Sequence, residues 1–287
     1  MKRGRKMEVY NKALQVRDKV KEWKRAGLSV GFVPTMGYLH EGHESLIRKA
    51  ASENHKVVVS IFVNPTQFGP NEDLEKYPRD LKKDSLICEA AGADLIFHPE
   101  VEEMYGQNAC TTVNISGLTS GLCGKSRPTH FSGVCTVVTK LFNIIPADKA
   151  YFGEKDAQQL AIIKKMVEDL NIDIKIVGCP IVREEDGLAK SSRNIYLSSQ
   201  EREAALILNK SLKAAKKAIE AGVKNTSELK GVIAEIIEAE PLVKIDYVEI
   251  VDSKSLKEVE VIKDDVLVAL AAYVGKTRLI DNFTYYK

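Results

Sequence analysis

The sequence lacks the features that mark membrane-spanning and disulfide-linked proteins. No apolar run approaches the ~20 residues that a transmembrane helix needs. The five cysteines are odd in number, widely spaced and without a CxxC pair. This spacing predicts free thiols in a reducing compartment, since neither a disulfide framework nor a Cys-rich zinc site has this pattern.

The sequence has no large excess of charge of one sign, since it contains 42 Lys and Arg and 40 Asp and Glu. It contains a single tryptophan. An RNA-binding module would need clustered basic and aromatic residues, so nucleic acid is not an expected partner. The 287 residues suffice for one large or two smaller globular domains. The basic segment 1–6 is followed by polar residues, so we expect no secretory signal and a cytoplasmic protein that binds small molecules.

Short apolar runs alternate with helical patterns along most of the chain. Apolar residues at steps of three and four from Val9 to Trp23 predict a helix that Gly27 ends, followed by a strand that Pro34 breaks. Helices are further predicted at 44–53, 79–91, 130–145 and 156–170, and strands at 28–33, 57–62, 94–97, 150–152 and 174–177. This alternation predicts an α/β fold with a Rossmann-like parallel sheet.

After about residue 185 the pattern becomes that of an α+β domain. Ser198 and Glu201 have the spacing of a capping box, ahead of a helix that continues to Gly222. A helix at 229–238, strands at 242–251 and 266–274 and a short segment at 278–283 follow. We therefore expect a domain of residues 1–184 and a smaller α+β domain of residues 185–287 that forms a lid.

The first segment that carries chemistry connects the first predicted strand of the sheet to the helix after it, Val33-Pro-Thr-Met-Gly-Tyr-Leu-His-Glu-Gly-His43. His40 and His43 lie at the start of that helix, where backbone N–H groups and the helix dipole favour an anion. This position favours donation to nucleotide phosphates. A zinc site and two solvent-facing histidines are the alternatives, although the spacing differs from that of HExxH.

A second polar segment runs from Arg183 to Asn194 and concentrates cations and hydroxyls in Lys190-Ser-Ser-Arg193. Such a cluster suits a loop that stabilises a triphosphate during attack on its α-phosphorus. Taken alone, the segment is more typical of a solvated linker between domains.

In this order the two segments resemble the HIGH-like and KMSKS-like motifs of the nucleotidylyltransferase superfamily, and longer blocks are similar to the pantoate–β-alanine ligase family. The blocks are PTMGYLHEGH (34–43), SIFVNPTQFGPNEDLEKYPR (60–79), RPTHFSGVCTVVTKLFN (127–143), YFGEKDAQQL (151–160) and DGLAKSSRNIYLS (186–198). The resemblance implies ATP-dependent condensation of (R)-pantoate with β-alanine to pantothenate, AMP and pyrophosphate. It also implies a pantoyl-adenylate intermediate, Mg²⁺ with the ATP, and a homodimer.

The resemblance assigns roles residue by residue. It makes catalytic residues of His40, His43, Lys155, Ser191, Ser192 and Arg193. It adds, for ATP, Met36, Gly37, Tyr38, Leu39, Glu41, Gly42, Gly153, Glu154, Asp156, Val182 and Lys190. It assigns pantoate and β-alanine to Asn64, Gln67 and Gln159 and the Mg²⁺ to Asp84, for which an exposed helix position is the alternative. His43 is either a general acid or a donor that stabilises transition-state charge.

Some points stay open. Arg127 and His130 either face the ligand or cap the next helix. Thr129 stands where many members of the family have Gly, and Lys190 where Met or Leu is common. A simple adenylyltransferase with a dinucleotide-like product would use the same two motifs, but Gln67 and Gln159 favour the ligase because amides suit a hydroxy acid.

Overall fold

The computed structural model describes residues 7–70 and 72–287, so the basic segment 1–6 lies outside the described residues. The chain divides into two compact units. Unit 1 comprises Met1–Ser116, Arg127–Glu154 and Gln159–Pro180, and unit 2 comprises Gly117–Ser126, Lys155–Gln158 and Ile181–Lys287. No helix within the described ranges is long and apolar enough to cross a membrane. All five cysteines are free thiols, as predicted.

Unit 1 contains the predicted parallel sheet. Its strands are β1 (Glu8–Tyr10), β2 (Val30–Thr35), β3 (Lys56–Ile61), β4 (Leu95–Phe97), β5 (Lys149–Gly153) and β6 (Lys175–Cys179). The helices associated with it are α1 (Ala13–Arg25), α2 (Glu41–Glu53), α3 (Leu81–Ala91), α4 (Val101–Met104), α6 (His130–Ile144) and α7 (Ala157–Asp169). The strand order is β1-β4-β3-β2-β5-β6, and every pair is parallel.

The strand order reverses at β2, which pairs with β3 on one side and β5 on the other. Ligands of open α/β sheets bind outside the carboxyl ends of the strands at such a point. The segments that begin at Met36 and Glu154 follow β2 and β5 directly. On one face of the sheet, α2 buries Ile47 and Ala50 against apolar residues of the strands such as Val59. The fold thus delivers the predicted nucleotide segments to the edge where ligands bind.

Two predicted features of unit 1 are wrong. Val9 belongs to the short edge strand β1, where it is 44% exposed, and not to the first helix, which begins at Ala13. Pro34 does not break the strand, because β2 continues to Thr35 with Pro34 beside Ser60 of β3. On the other side, β5 pairs with β2 only at Gly31 and Phe32, so the missing N–H of Pro34 interrupts no bond of that ladder.

Unit 2 is an α+β unit, as its pattern predicted. Its helices are α5 (Leu122–Ser126), α8 (Ser199–Ala204), α9 (Leu206–Glu220) and α10 (Thr226–Glu238). Its antiparallel strands are β7 (Val243–Asp252), β8 (Val266–Val274) and β9 (Thr277–Tyr285), in that order. The capping box is confirmed: the Glu201 N–H donates to Ser198 Oγ at 3.3 Å and the Ser198 N–H to the Glu201 carboxylate at 2.8 Å. The segment around 278–283 is the middle of a full strand.

Candidate active site

The turn between β2 and α2 is held by side chains that accept its backbone N–H groups. The N–H of Gly37 donates to Thr35 Oγ1 at 3.2 Å. The N–H groups of Tyr38 and Leu39 donate to the two carboxylate oxygens of Asp84 at 2.8 and 2.7 Å. In the structure these amides face side chains of the protein. Their predicted contacts with ATP therefore need other atoms of the same residues.

His40 and His43 each accept a backbone hydrogen bond at the ring nitrogen Nδ1. The N–H of His40 donates to Nδ1 of His43 at 3.3 Å, and the N–H of Gly42 donates to Nδ1 of His40 at 3.1 Å. An acceptor nitrogen carries no proton, so these bonds assign the proton of each neutral ring to Nε2. The ring centroids lie 4.1 Å apart. The pair can therefore donate through Nε2, which is the chemistry that a phosphate oxygen requires.

Asp84 is 1% exposed, so the alternative of an exposed residue on the helix surface is wrong. It lies in the first turn of α3, and its carboxylate reaches the turn between β2 and α2. Burial raises the pKa of the Asp84 carboxyl, and the hydrogen bonds from Leu39 and Tyr38 oppose that rise. Its predicted role as a ligand of Mg²⁺ does not fit this geometry, because the buried carboxylate faces the backbone of the turn and leaves no space for an ion with its water ligands.

No group of three or more His, Cys, Asp or Glu residues in the described part of the chain has the arrangement of a metal site. Mg²⁺ in nucleotide sites is commonly held by one or two carboxylates together with the substrate's phosphates. The residues described here thus offer no protein cage for the ion.

The predicted pantoate residues Asn64 and Gln67 lie together after the end of β3. Asn64 Nδ2 donates to Gln67 Oε1 at 3.0 Å, and Gln67 Nε2 contacts Met36 Sδ at 2.9 Å. Asn64 and Gln67 are 1% and 9% exposed. The structure therefore brings one predicted ATP residue, Met36, against the residues predicted to bind pantoate, all within unit 1.

Tyr105 completes this cluster, and the sequence analysis missed it. Its hydroxyl donates to Asn64 Oδ1 at 2.8 Å and lies 3.2 Å from Thr66 Oγ1. Burial raises the pKa of the Tyr105 hydroxyl, which keeps it a donor at neutral pH. A lone tyrosine 41 residues from its partner has no local signal, since it reaches Asn64 only through the fold.

Arg127 and His130 hold the backbone of Gln67. Arg127 Nη2 donates to the Gln67 carbonyl at 3.3 Å, and His130 Nδ1 lies 2.9 Å from the same oxygen. Arg127 also makes a bidentate pair with Glu72, at 2.5 and 2.6 Å. Burial opposes ionisation of Glu72, but the bonds and charge of Arg127, the N–H of Gly69 and the charge of His130 together lower the pKa of that carboxyl. Arg127 and His130 thus hold the backbone of a residue that is predicted to bind pantoate. Glu72 was not predicted.

The start of α6 follows Arg127 and carries two further observations. Thr129 has an ordinary right-handed conformation, so the turn before His130 does not need the glycine expected there. Gly133 lies so close to the preceding cluster that a Cβ there would be 2.3 Å from the Thr66 carbonyl oxygen. The close approach of α6 thus restricts the backbone of Thr66 and Gln67.

In unit 2, the polar segment 183–194 is a folded hairpin and not a solvated linker. The N–H of Glu184 donates to the Leu188 carbonyl at 2.8 Å, and the N–H of Lys190 to the Val182 carbonyl at 3.0 Å. Arg183 anchors it through a bidentate pair with Asp281, at 2.7 and 2.9 Å. Asp281 is 3% exposed, so the carboxylate of this pair is shielded from water, and two charge-assisted hydrogen bonds satisfy it.

The cations and hydroxyls of this hairpin have defined positions. Lys190 Nζ lies 3.3 Å from a carboxylate oxygen of Glu184. Ser191 caps a short 3-10 turn formed by residues 192–196, where its Oγ accepts from the N–H of Arg193 at 3.3 Å. Lys190 thus lies in the hairpin, and Ser191 links the hairpin to the 3-10 turn that begins with Ser192 and Arg193.

Lys155 and Asp156 also belong to unit 2, whereas Gly153, Glu154 and Gln159 belong to unit 1. The carbonyl of Lys155 accepts from Asn282 Nδ2 at 2.8 Å. The sequence offered no sign of Asn282 or Asp281, because both act across long stretches of chain. The predicted residues therefore form two sets, one in each unit.

Comparison with known proteins extends over nearly the whole chain. The family model for pantoate-beta-alanine ligase matches residues 8–284. A pantothenate synthetase of Enterococcus faecalis is 67% identical over 97% of this chain and 99% of its own. One of Clostridium acetobutylicum is 61% identical over the same shares.

Similar solved structures come from the same family. The crystal structure of a Thermus thermophilus pantothenate synthetase has a TM-score of 0.92 and 43% identity, covering 98% of this chain and all of its own. A Francisella tularensis pantoate-beta-alanine ligase, complexed with beta-gamma ATP and beta-alanine, has a TM-score of 0.78 and 37% identity over 97% of each chain. These similarities cover both units.

Proposed function

Since this chain belongs to the pantoate–β-alanine ligase family, and so joins pantoate to β-alanine to give pantothenate, we propose that it drives this ligation with ATP. The carboxylate of pantoate attacks the α-phosphorus of ATP, and the bond to the β-phosphate oxygen breaks, so that pyrophosphate leaves and pantoyl-adenylate forms. The amine of β-alanine then attacks the acyl carbon, loses a proton and releases AMP. The Francisella relative in complex with an ATP species and β-alanine supports this choice of substrates.

The first step brings two anions together, so the residues must offset negative charge. His40 and His43 donate from Nε2, because their Nδ1 atoms accept backbone bonds. A neutral ring of this tautomer stabilises developing charge on a phosphate oxygen without giving up its proton. This favours charge stabilisation over general acid catalysis for His43. Lys155, Ser191, Ser192 and Arg193 are proposed as further donors to the triphosphate.

Pantoate recognition is proposed for Asn64, Gln67 and Gln159. The observation that carries this proposal is the buried contact of Gln67 with both Asn64 and Met36. Met36 begins the segment that leads to the two histidines. Its contact with Gln67 therefore brings a residue proposed to bind pantoate close to the segment proposed to bind the phosphates of ATP. Amide groups offer a paired donor and acceptor, which matches a substrate with two hydroxyls and a carboxylate.

Mg²⁺ is proposed as the companion of ATP, and when bound it would neutralise phosphate charge. No step is assigned to it here, because Asp84 does not fit a ligand of the ion. The homodimer implied by the family resemblance and the cytoplasmic location expected from the cysteines and the N-terminal segment stay predictions.

The test is to incubate the purified protein with ATP, Mg²⁺, pantoate and β-alanine, omitting each acid in turn, and to follow AMP, pyrophosphate and pantothenate. We expect AMP and pantothenate in equal amounts, with both acids required. With both acids present, a final product that keeps the adenylyl group would instead identify a simple adenylyltransferase. Consumption of ATP without either acid would contradict the role given to Gln67 and Gln159.

A further inference from the structure

Asp84 connects two elements that are far apart along the chain. Its carboxylate belongs to α3, yet both of its oxygens accept N–H groups of the turn that leads into α2, at 2.7 and 2.8 Å. The side chain is 1% exposed. A buried carboxylate must be satisfied by hydrogen bonds, and here the backbone amides of Tyr38 and Leu39 provide them.

The turn supplies its other acceptors from within. The N–H groups of Gly37, His40 and Gly42 donate to Thr35, His43 and His40 respectively. These partners lie within three residues of their donors. Thr35 also donates through Oγ1 to the Ser60 carbonyl of β3 at 2.8 Å, which ties the beginning of the turn to the sheet. Among these acceptors, Asp84 is the one that ties the turn to another helix.

The conformation of the turn needs such a tie. Gly37 and Tyr38 both have positive φ, 83° and 50°. Steric crowding of the Cβ disfavours the left-handed region for a residue with a side chain, so Tyr38 adopts it against its own preference. A Cβ on Gly37 would lie 3.0 Å from Asp84 Oδ2, which shows how closely the carboxylate fits beneath the turn.

We propose that Asp84 is a positioning residue, not a ligand of Mg²⁺: it holds the left-handed turn and thereby fixes the start of α2, where His40 and His43 stand. The proposal rests on the proposed function in so far as these histidines act on ATP. Mg²⁺ binds oxygens that it can approach together with its remaining water ligands. The Asp84 carboxylate is 1% exposed and its oxygens face the amides of Tyr38 and Leu39, so an ion that keeps water ligands cannot approach it.

The first test compares Asp84→Asn with Asp80→Asn. Asp80 is an exposed acidic residue of the same helix that caps its first turn by accepting from the N–H of Lys83, at 3.0 Å. An Asn at position 84 turns an NH₂ group towards a backbone donor, so the turn loses one of its two bonds. We expect kcat for pantoate-dependent pyrophosphate release to fall roughly tenfold to a hundredfold. The KM for pantoate should change little, and Asp80→Asn should behave like the unmodified protein.

Titration with Mg²⁺ at fixed ATP separates the two roles. A positioning residue predicts that the loss in Asp84→Asn is the same at every Mg²⁺ concentration. If raising Mg²⁺ restores the rate, or if the variant is as active as the unmodified protein, the proposal is overturned.

A second measurement needs no variant and no activity. If Asp84 holds the turn, the amides of Tyr38 and Leu39 should exchange slowly with solvent deuterium. This is measured on the unmodified protein, kept free of metal and nucleotide. Rapid exchange of both amides would overturn the proposal even if Asp84→Asn fails to fold. Slow exchange in a protein that consumes no ATP would support the positioning role while removing the proposed function, so the two failures are distinguishable.

Discussion

The backbone N–H of His40 donates to Nδ1 of His43, 3.3 Å away, so one histidine sets the tautomer of the other. The same contact closes the first turn of α2 and orients the His43 ring. Protonation of Nδ1 would place two donors against each other and break this bond. His43 is therefore built to donate from Nε2 as a neutral ring.

This relationship predicts different results for two substitutions of His43. Asn places an oxygen near the position of Nδ1 and keeps the acceptor, but it has no donor at the position of Nε2. We expect His43→Asn to fold normally and to lose roughly 10²- to 10³-fold in kcat for pyrophosphate release. His43→Gln, whose amide reaches towards the position of Nε2, should recover part of the loss. A His43→Asn variant of near-normal activity would remove the donor role.

Substitution of Gln67 should affect the two substrates differently. Gln67→Ala deletes an amide that is proposed to bind pantoate, a loss of roughly 1–3 kcal/mol or about tenfold to a hundredfold in the KM for pantoate. The KM for ATP should change far less. Gln107→Ala, at an exposed position of unit 1, is the matched control and should leave both constants unchanged. Equal increases in both KM values would indicate a general folding defect.

The pair of Arg127 with Glu72 should stabilise unit 1 measurably. Its side chains are 16% and 25% exposed, and two hydrogen bonds join them. Arg127→Met leaves a half-buried carboxylate without its partner, and we expect a loss of about 1–3 kcal/mol in the free energy of unfolding.

Denaturant titration of Arg127→Met, Glu72→Gln and the double variant measures the coupling directly. The double variant should be less destabilised than the sum of the two single variants. Additive losses would show that the pair contributes nothing beyond its separate residues.

The lowered pKa of Glu53 predicts how the stability of the protein depends on pH. Bonds from Lys49, Tyr151 and Lys149 lower the pKa of Glu53 from its ordinary value of 4.5 to about 2. Because the pKa is lower in the folded state, the stabilisation is present above pH 4.5 and is lost as pH falls towards 2.

We therefore expect the Tm of the unmodified protein to exceed that of Glu53→Gln at neutral pH. The difference should shrink through this acidic range. Glu89→Gln, at an exposed position on α3, provides the control. A difference in Tm that stays constant with pH would contradict the assigned cause.

Patterns that repeat along the chain predicted the fold well. Buried strands such as β3 are continuous apolar runs and amphipathic helices such as α2 have a helical period, and the predicted parallel sheet is confirmed. Pro34 was misread because its effect depends on how far a neighbouring strand extends, which the sequence does not state. Val9 was misread because a three-residue edge strand is too short to show a period.

The predicted site residues came from motif resemblance, and the contacts that hold them came from the structure. Tyr105, Glu72 and Asp281 act on partners 41, 55 and 98 residues away. Such pairs leave no local pattern. The burial of Asp84 beneath a turn of the site likewise depends on how α3 packs against that turn. The sequence around Asp84 could therefore not decide between an exposed helix position and a metal ligand.

The most direct test of the adenylate pathway follows the oxygen of pantoate. Pantoate labelled with ¹⁸O in its carboxylate is incubated with ATP, Mg²⁺, β-alanine and the purified protein, and AMP is analysed by mass spectrometry. An acyl-adenylate transfers one carboxylate oxygen to AMP when the amine attacks the acyl carbon, so each AMP formed should carry one ¹⁸O. Unlabelled AMP formed together with pantothenate, with ¹⁸O in the pyrophosphate or phosphate released, would contradict the pantoyl-adenylate intermediate.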